Sequence, residues 1–308
     1  MGSAIERRFL LLKAKLMSDQ ITTAMVKQYE ANVLMLSQQE GSVLENAVMR
    51  KPLRGKTAFF EQVGKAVAQK NTTRHSDTPQ MDTPHDRRAV SGNQFIYNDF
   101  IDDHDAVRTL ADFTNPYAIA GGYAMGRAKD EEIIAAATGS ANTGVDGGTA
   151  VPLPAASKVL VDLGGASIGL TIAKLIDAAS RLGKGNVSKT EDRFIVVSQQ
   201  QIDDLLATTE IRSADFNSVK ALVQGEIDTF MGFKFIQTEL LALSAGDIRT
   251  CFAFTRGGLG LAVSRDQITR VTERPDKNYS TQVWTSMDIG ATRIEEAKVI
   301  EILCDESP

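Results

Sequence analysis

The clearest hint of chemistry is the run Gly258-x-Gly260-x-x-Val263, which follows the strand-like segment 251–255. Glycines at this spacing can turn a strand into a helix whose first N–H groups hold a pyrophosphate. Two features count against that use here. Bulky Val263 replaces the third glycine, and Leu261-Ala262-Val263 continues as a strand where the helix must begin. We read a glycine-bearing strand turn, with a nucleotide-binding α/β enzyme using Gly258 and Gly260 as the rival from a different class. Neither a Walker loop ending in Gly-Lys-Ser/Thr nor a Gly-x-Ser-x-Gly elbow occurs.

The three histidines offer the next candidates. His75 and His85 lie near Asp77, Asp82 and Asp86, and His104 lies within Asp102-Asp103-His104-Asp105. Carboxylates raise a neighbouring imidazole pKa, which is what a metal or acid–base site exploits. The surroundings are so polar that solvated loops are the simpler reading. Cys251 and Cys304 have no CxxC spacing and sit in apolar runs, as buried free thiols do. Asp130, Glu131 and Glu132 read as a solvated or subunit-facing helix face, and Trp284 as core. We therefore expect no catalytic residue, no cofactor and no metal.

Composition narrows the class. The 308 residues are 43% apolar and 24% charged, as in an ordinary globular protein long enough for two lobes. A net charge of −5 and a pI near 5.4 disfavour a module that neutralises phosphates. No apolar run is long enough to span a membrane. Arg7 and Arg8 precede Phe9-Leu10-Leu11-Leu12, but Lys13 and Lys15 interrupt the run, giving a short amphipathic helix and not a signal peptide. Met17-Ser18-Asp19-Gln20 offers a second start, with residues 1–16 as an extension.

Periodicity supplies the elements. Ser18 caps an amphipathic helix using Ile21, Met25, Tyr29, Val33 and Leu36 and ending at Gly41. Residues 51–100 form a long two-stranded excursion. Its strand-like ends are 56–69 and Val90–Phe100, and its polar tip carries the echo Asp77-Thr78-Pro79 and Asp82-Thr83-Pro84. Asn115 and Pro116 open a long helix that ends at Gly139, with small residues Ala118, Ala120, Gly121, Gly122, Ala124 and Gly126 along it. A second helix uses Ile168, Ile172, Leu175, Ile176, Ala179 and Leu182 and stops at Gly183. Phe194–Val197 is a buried strand, and Ser198 with Gln201 forms a capping box for helix 199–206. Strands at 233–236, 251–255, 259–263, 281–289 and 297–304 complete an α+β chain.

Several segments agree with a known family. Asn115-Pro116-Tyr117, Gly126-Arg127, Asp130, Ile133-Ile134 and Ala136 resemble the spine helix of major capsid proteins of tailed bacteriophages. Phe230-Met231-Gly232-Phe233-Lys234-Phe235 resembles a turn and strand of their axial domain. The run Glu273-Arg274-Pro275-Asp276-Lys277, Tyr279, Gln282-Val283, Gly290-Ala291-Thr292-Arg293 and Val299-Ile300-Glu301-Ile302 resembles their C-terminal strands. The resemblance covers roughly residues 17–304.

It implies the α+β fold named after phage Hong Kong 97, which encapsulin nanocompartment shells share; their shorter loop makes them the lesser fit. The implied parts are an N-terminal arm (1–50), an extended loop (51–100), a peripheral domain (101–189 and 269–308, with spine helix 115–139) and an axial domain (190–268). The implied function is self-assembly into pentamers and hexamers of an icosahedral head shell. The expected partners are copies of the chain, a separate scaffolding protein, a portal and a decoration protein. Double-stranded DNA is enclosed without sequence-specific binding, and no membrane is involved. The implied location is the virion head, assembled in the host cytoplasm. We expect Arg54, Lys56, Arg87 and Arg88 of the loop to meet neighbouring carboxylates such as Asp130 and Glu131.

Overall fold

A computed structural model describes residues 37–70, 72–74, 77–78, 80–102, 114–163, 168–207, 229–244 and 246–307. The amphipathic helix expected from Ser18 to Leu36, His75 and His104 lie outside them. In chain order the elements are β1 (Met49–Pro52), β2 (Thr57–Val63), β3 (His85–Ser91), β4 (Asn93–Ile101), α1 (Thr114–Thr138), β5 (Ala141–Thr143), β6 (Thr149–Val151) and β7 (Lys158–Val159). There follow α2 (Ile172–Lys184), β8 (Arg193–Val197), α3 (Gln199–Ala207), β9 (Thr229–Phe230), β10 (Phe233–Gln237), β11 (Leu243–Ser244), β12 (Ile248–Thr255), β13 (Leu259–Arg274), β14 (Ser280–Arg293) and β15 (Val299–Asp305).

The chain packs as two units. The smaller combines the described residues of 97–122 with 269–285. Within it, Gly121 of α1 lies so close to the Tyr97 ring and Thr285 that a Cβ would sit 2.7 Å and 3.1 Å from them. Here the small residues of α1 bring a helix backbone against a sheet. Gln282 donates to Asn98 at 2.5 Å, and Thr269 and Thr285 share a hydroxyl hydrogen bond of 3.1 Å. Trp284 departs from the expected core placement: it is half-buried, with the Arg270 guanidinium 5.9 Å from its ring centre.

The larger unit holds most of the core. One sheet runs β7-β15-β12-β8-β10-β9, with β11 also pairing β12. Phe252, Phe254, Ile195, Val196, Ile302 and Cys304 in it are fully buried. Strand β8 pairs with β10 in parallel and β12 antiparallel, so it is central and continuously apolar, as expected of a strand covered on both faces. Ser198 and Gln201 form the expected capping box at the start of α3, the Gln201 carboxamide accepting from the Ser198 N–H and hydroxyl. Helix α2 begins at the Thr171 cap but runs through Gly183. It ends where Asn186 turns left-handed (φ 56°), with Gly185 N–H donating to Arg181 and Val187 N–H to Leu182. Gly183 lies on the exposed side, where it costs little in packing.

A second sheet, β2-β3-β5-β6, contains the hairpin. Thr57–Val63 pairs antiparallel with His85–Ser91. The returning strand therefore ends at Ser91; Val90–Phe100 is not one strand, because β4 starts a different sheet beside β14. Gly92 marks the break, where a Cβ would meet Asp288 at 2.6 Å and Leu53 at 3.0 Å. Parallel pairing of β1 with β13 (Met49↔Gly260 to Pro52↔Val263) seats the hairpin root beside the β13 strand.

Candidate assembly site

The candidates for chemistry lie apart among the described residues. Among the described residues no group of His, Cys, Asp and Glu is placed to hold a metal. His85 is exposed at the start of β3. Gly258 closes a tight turn by donating to Thr255 at 2.8 Å, and β13 continues as a strand. Gly260 packs under the Phe60 ring, where a Cβ would be 2.6 Å away. Hairpin packing thus accounts for that glycine. Cys251 and Cys304 are buried free thiols. No described helix is long and apolar enough to cross a membrane.

The interface candidates divide. Arg54, Lys56 and Glu131 are exposed. Arg87 lies beside Glu61 at 3.6 Å, with its guanidinium 5.1 Å from the centre of the Phe59 ring. Asp130 and Arg88 are different: both are buried and committed inside their own chain. They correct the expectation that all six face a neighbour.

Asp130 belongs to the packing stripe of α1. Gly121, Met125, Lys129, Ile133 and Ala137 form one buried four-residue row, with Gly126, Asp130 and Ile134 beside it. The Asp130 carboxylate accepts from Gln39 Nε2 (2.5 Å), Ser42 Oγ (2.5 Å), Val43 N (3.0 Å) and Leu44 N (3.1 Å). Gly41 (φ 77°) passes so close to Gly126 that any side chain there would overlap its backbone. Segment 39–44 is thereby laid on the helix. Next to it Arg50, Glu45, Lys129 and Asp266 close a ring of alternating charge, with contacts of 3.1, 2.8, 3.5 and 2.6 Å in turn. The hydrogen bond from Arg50 holds the Asp266 carboxyl below its usual range.

Arg88 anchors the hairpin. Its Nη2 meets Glu296 Oε1 at 2.7 Å and its Nε donates to Ile294 O at 3.2 Å. Gln62, across the hairpin, donates to the same carbonyl. Beneath lies an apolar root of Leu53, Ala58, Phe60, Val90, Ala262 and Ile294. Arg293 completes the junction: it is fully buried and donates to Ala137 O (3.2 Å), Gly139 O (2.5 Å) and Val151 O (2.9 Å). It thus caps carbonyls at the C-terminus of α1, where a cation also suits the helix dipole. Burial, reinforced by the nearby Arg88 charge, lowers its pKa, while Glu296 opposes the shift. Beyond this root, residues 64–70 and 84–86 are exposed, with Val63 67% exposed.

The fold has clear counterparts. A family model described as phage capsid protein matches residues 21–306. The chain belongs to the phage capsid protein family. Among solved structures, the capsid of cyanophage P-SCSP1u is similar at a TM-score of 0.70 and 16% identity, covering 92% of this chain and 94% of that one. The capsid of Ralstonia phage GP4 gives 0.71 and 12%, covering 92% and 96%. The head structure of Helicobacter pylori bacteriophage KHP40 gives 0.71 and 10%, covering 92% and 97%. No curated protein sequence matches. At such identities the fold is what is shared, and the α+β capsid fold expected from the sequence is the one present. As a phage capsid protein the chain is a major component of the head shell, and it works within a multi-subunit assembly.

Proposed function

We propose that the chain does no chemistry and builds the phage head by pairing with copies of itself as pentamers and hexamers. The axial domain (190–268) faces the ring axes, and the peripheral domain (101–189 and 269–308) forms the plank of the shell. The arm (1–50) and loop (51–100) reach to neighbours. Arg54, Lys56 and Arg87 supply cations from the loop, and Glu131 on α1 supplies an acceptor. Each contact is modest, but every subunit makes several, so avidity closes the shell. A separate scaffolding protein, a portal and a decoration protein are the partners. Double-stranded DNA fills the interior without sequence-specific contacts, and assembly takes place in the host cytoplasm.

The observation that carries this reading is the hairpin. It is buried only at its root, while the described residues between β2 and β3 are mostly exposed and belong to no strand, so the excursion has little of its own chain to lie on. A surface on another copy completes it. Negative-stain electron microscopy with size-exclusion chromatography tests this. Closed shells or rings of five and six are expected, whereas a stable monomer or dimer at every concentration and with the phage's other head proteins co-expressed would contradict it.

A further inference from the structure

We propose that the free edge of β2 takes up an extended segment of a second copy of the chain as an added strand. The inference rests on the reading of the chain as a self-assembling shell subunit and names how the hairpin is joined. Strand β2 is the outer strand of the sheet β2-β3-β5-β6. Gly64 N–H donates to Pro84 O at 2.7 Å. With the register Val63↔His85, this makes Ala58, Phe60 and Gln62 the residues that exchange hydrogen bonds with β3. Thr57, Phe59, Glu61 and Val63 therefore direct their N–H and C=O groups away from the hairpin. Phe59 O is taken by Lys51 Nζ at 2.5 Å. The N–H and C=O groups of Glu61 and Val63 have no partner among the described residues.

Such an edge is a template for another strand. The other edges of sheets lying wholly within the larger unit are too short for this: β6 has three residues, and β7, β9 and β11 have two each. Strand β2 has seven, with no proline, lysine or bulge to blunt it. Beside the edge a cleft of about 880 Å³ opens between Gly64 and Pro84 of the hairpin and Arg256, Gly257 and Lys298 of the body. An added strand places alternate side chains into it, against exposed Val63 and Met49. Charge identifies the occupant. Residues 51–91 contain eight Lys and Arg against four Asp and Glu, so with a whole-chain charge of −5 the rest of the chain carries −9. Lys65 and Arg256 at the cleft are exposed and have no carboxylate partner among the described residues. A second copy offers the hairpin both a free backbone and an excess of carboxylates. Duplex DNA offers the charge without the N–H and C=O groups.

The test compares full-length wild type, Glu61→Ala, Glu61→Pro and Val63→Pro by sedimentation at increasing protein concentration, with the phage's other head proteins added. Proline removes one outward N–H and is tolerated on a strand edge, because residues 61 and 63 give no hydrogen bond to β3. Both proline variants should keep the wild-type melting temperature but need about tenfold more protein to assemble, the effect of one backbone hydrogen bond lost at each contact. Glu61→Ala should assemble as wild type does. Amide exchange gives a readout that needs no variant: Glu61 and Val63 should exchange about tenfold slower, or more, in shells than in free subunits. Strand addition is overturned if a folded proline variant assembles at the wild-type concentration, if Glu61→Ala loses as much as Glu61→Pro, or if shells leave both amides unprotected. Amides already protected in the free subunit would mean that the chain covers its own edge. Protection by another head protein before shells form would assign the edge to that protein, and either result overturns the inference. A wild type that never assembles removes the shell reading itself, whereas wild-type shells with unaffected proline variants remove strand addition alone.

Discussion

The β12–β15 sheet and the β2–β3 hairpin are both antiparallel pairings in the same unit, yet they are held by different physics. In the first, Phe252 and Phe254 meet at 5.6 Å in a tilted arrangement, and Phe194 stacks on Phe254 at 5.5 Å, within a layer whose stability comes from buried apolar area. In the second, burial stops at Ala58, Phe60, Ala89 and Val90, and the rest is held by the pairing of β3 with β5 and by polar anchors such as Arg88 and Gln62. A sheet fixed by close packing resists gradual adjustment. A hairpin packed only at its root leaves its far end uncovered by its own chain.

The sharpest break in this contrast is a core truncation. Phe252→Ala should cost about 3–5 kcal/mol, typical of a buried aromatic, and lower the melting temperature with loss of folded protein. Asp130→Ala comes next. It leaves four donors at the arm root without an acceptor, and we expect a loss of about 3 kcal/mol with rapid proteolysis between residues 37 and 45. Gly126→Ala should mimic it, since the methyl group displaces the same segment.

Acid sharpens the comparison from the core side. Arg249, with Gln201 and Ser198 also donating, holds the Glu306 carboxyl below its usual range. Because the folded pKa is depressed, its stabilisation is fully present above the unfolded value of about 4.3 and fades as pH falls through the folded one. Thermal melts from roughly pH 5 downward should show wild type losing more stability than Glu306→Gln, with the two curves converging at low pH. The smallest effect on stability belongs to the hairpin. Arg87→Glu should change unfolding free energy by less than about 1 kcal/mol, as expected of an exposed pair, while reducing assembly measured by sedimentation.

The regular elements were legible in the sequence because their signals are local. Pro116 and Gly139 bracket α1 to within a residue or two, and the Ser198–Gln201 capping box starts α3. Asp130 and Arg88 were misread because charge normally marks solvent. Asp130 carried a usable clue: it follows Gly126 and precedes Ile134 by four residues, on the packing row of its own helix. Arg88 carried none, since its partners Ile294 and Glu296 are more than 200 residues away. The break at Gly92 was equally hidden. Asp288 and Leu53 leave no room for a side chain there, a tertiary contact that strand periodicity does not contain.

The most direct measurement compares full-length protein with a variant whose residues 66–82 are replaced by a short glycine-containing turn. Both would be followed by electron microscopy and thermal unfolding. The account predicts shells or five- and six-membered rings for the full chain, and an unassembled variant with an unchanged melting temperature. A shortened variant that assembles as well as the full chain would contradict it, because the hairpin would then not be the element that joins subunits.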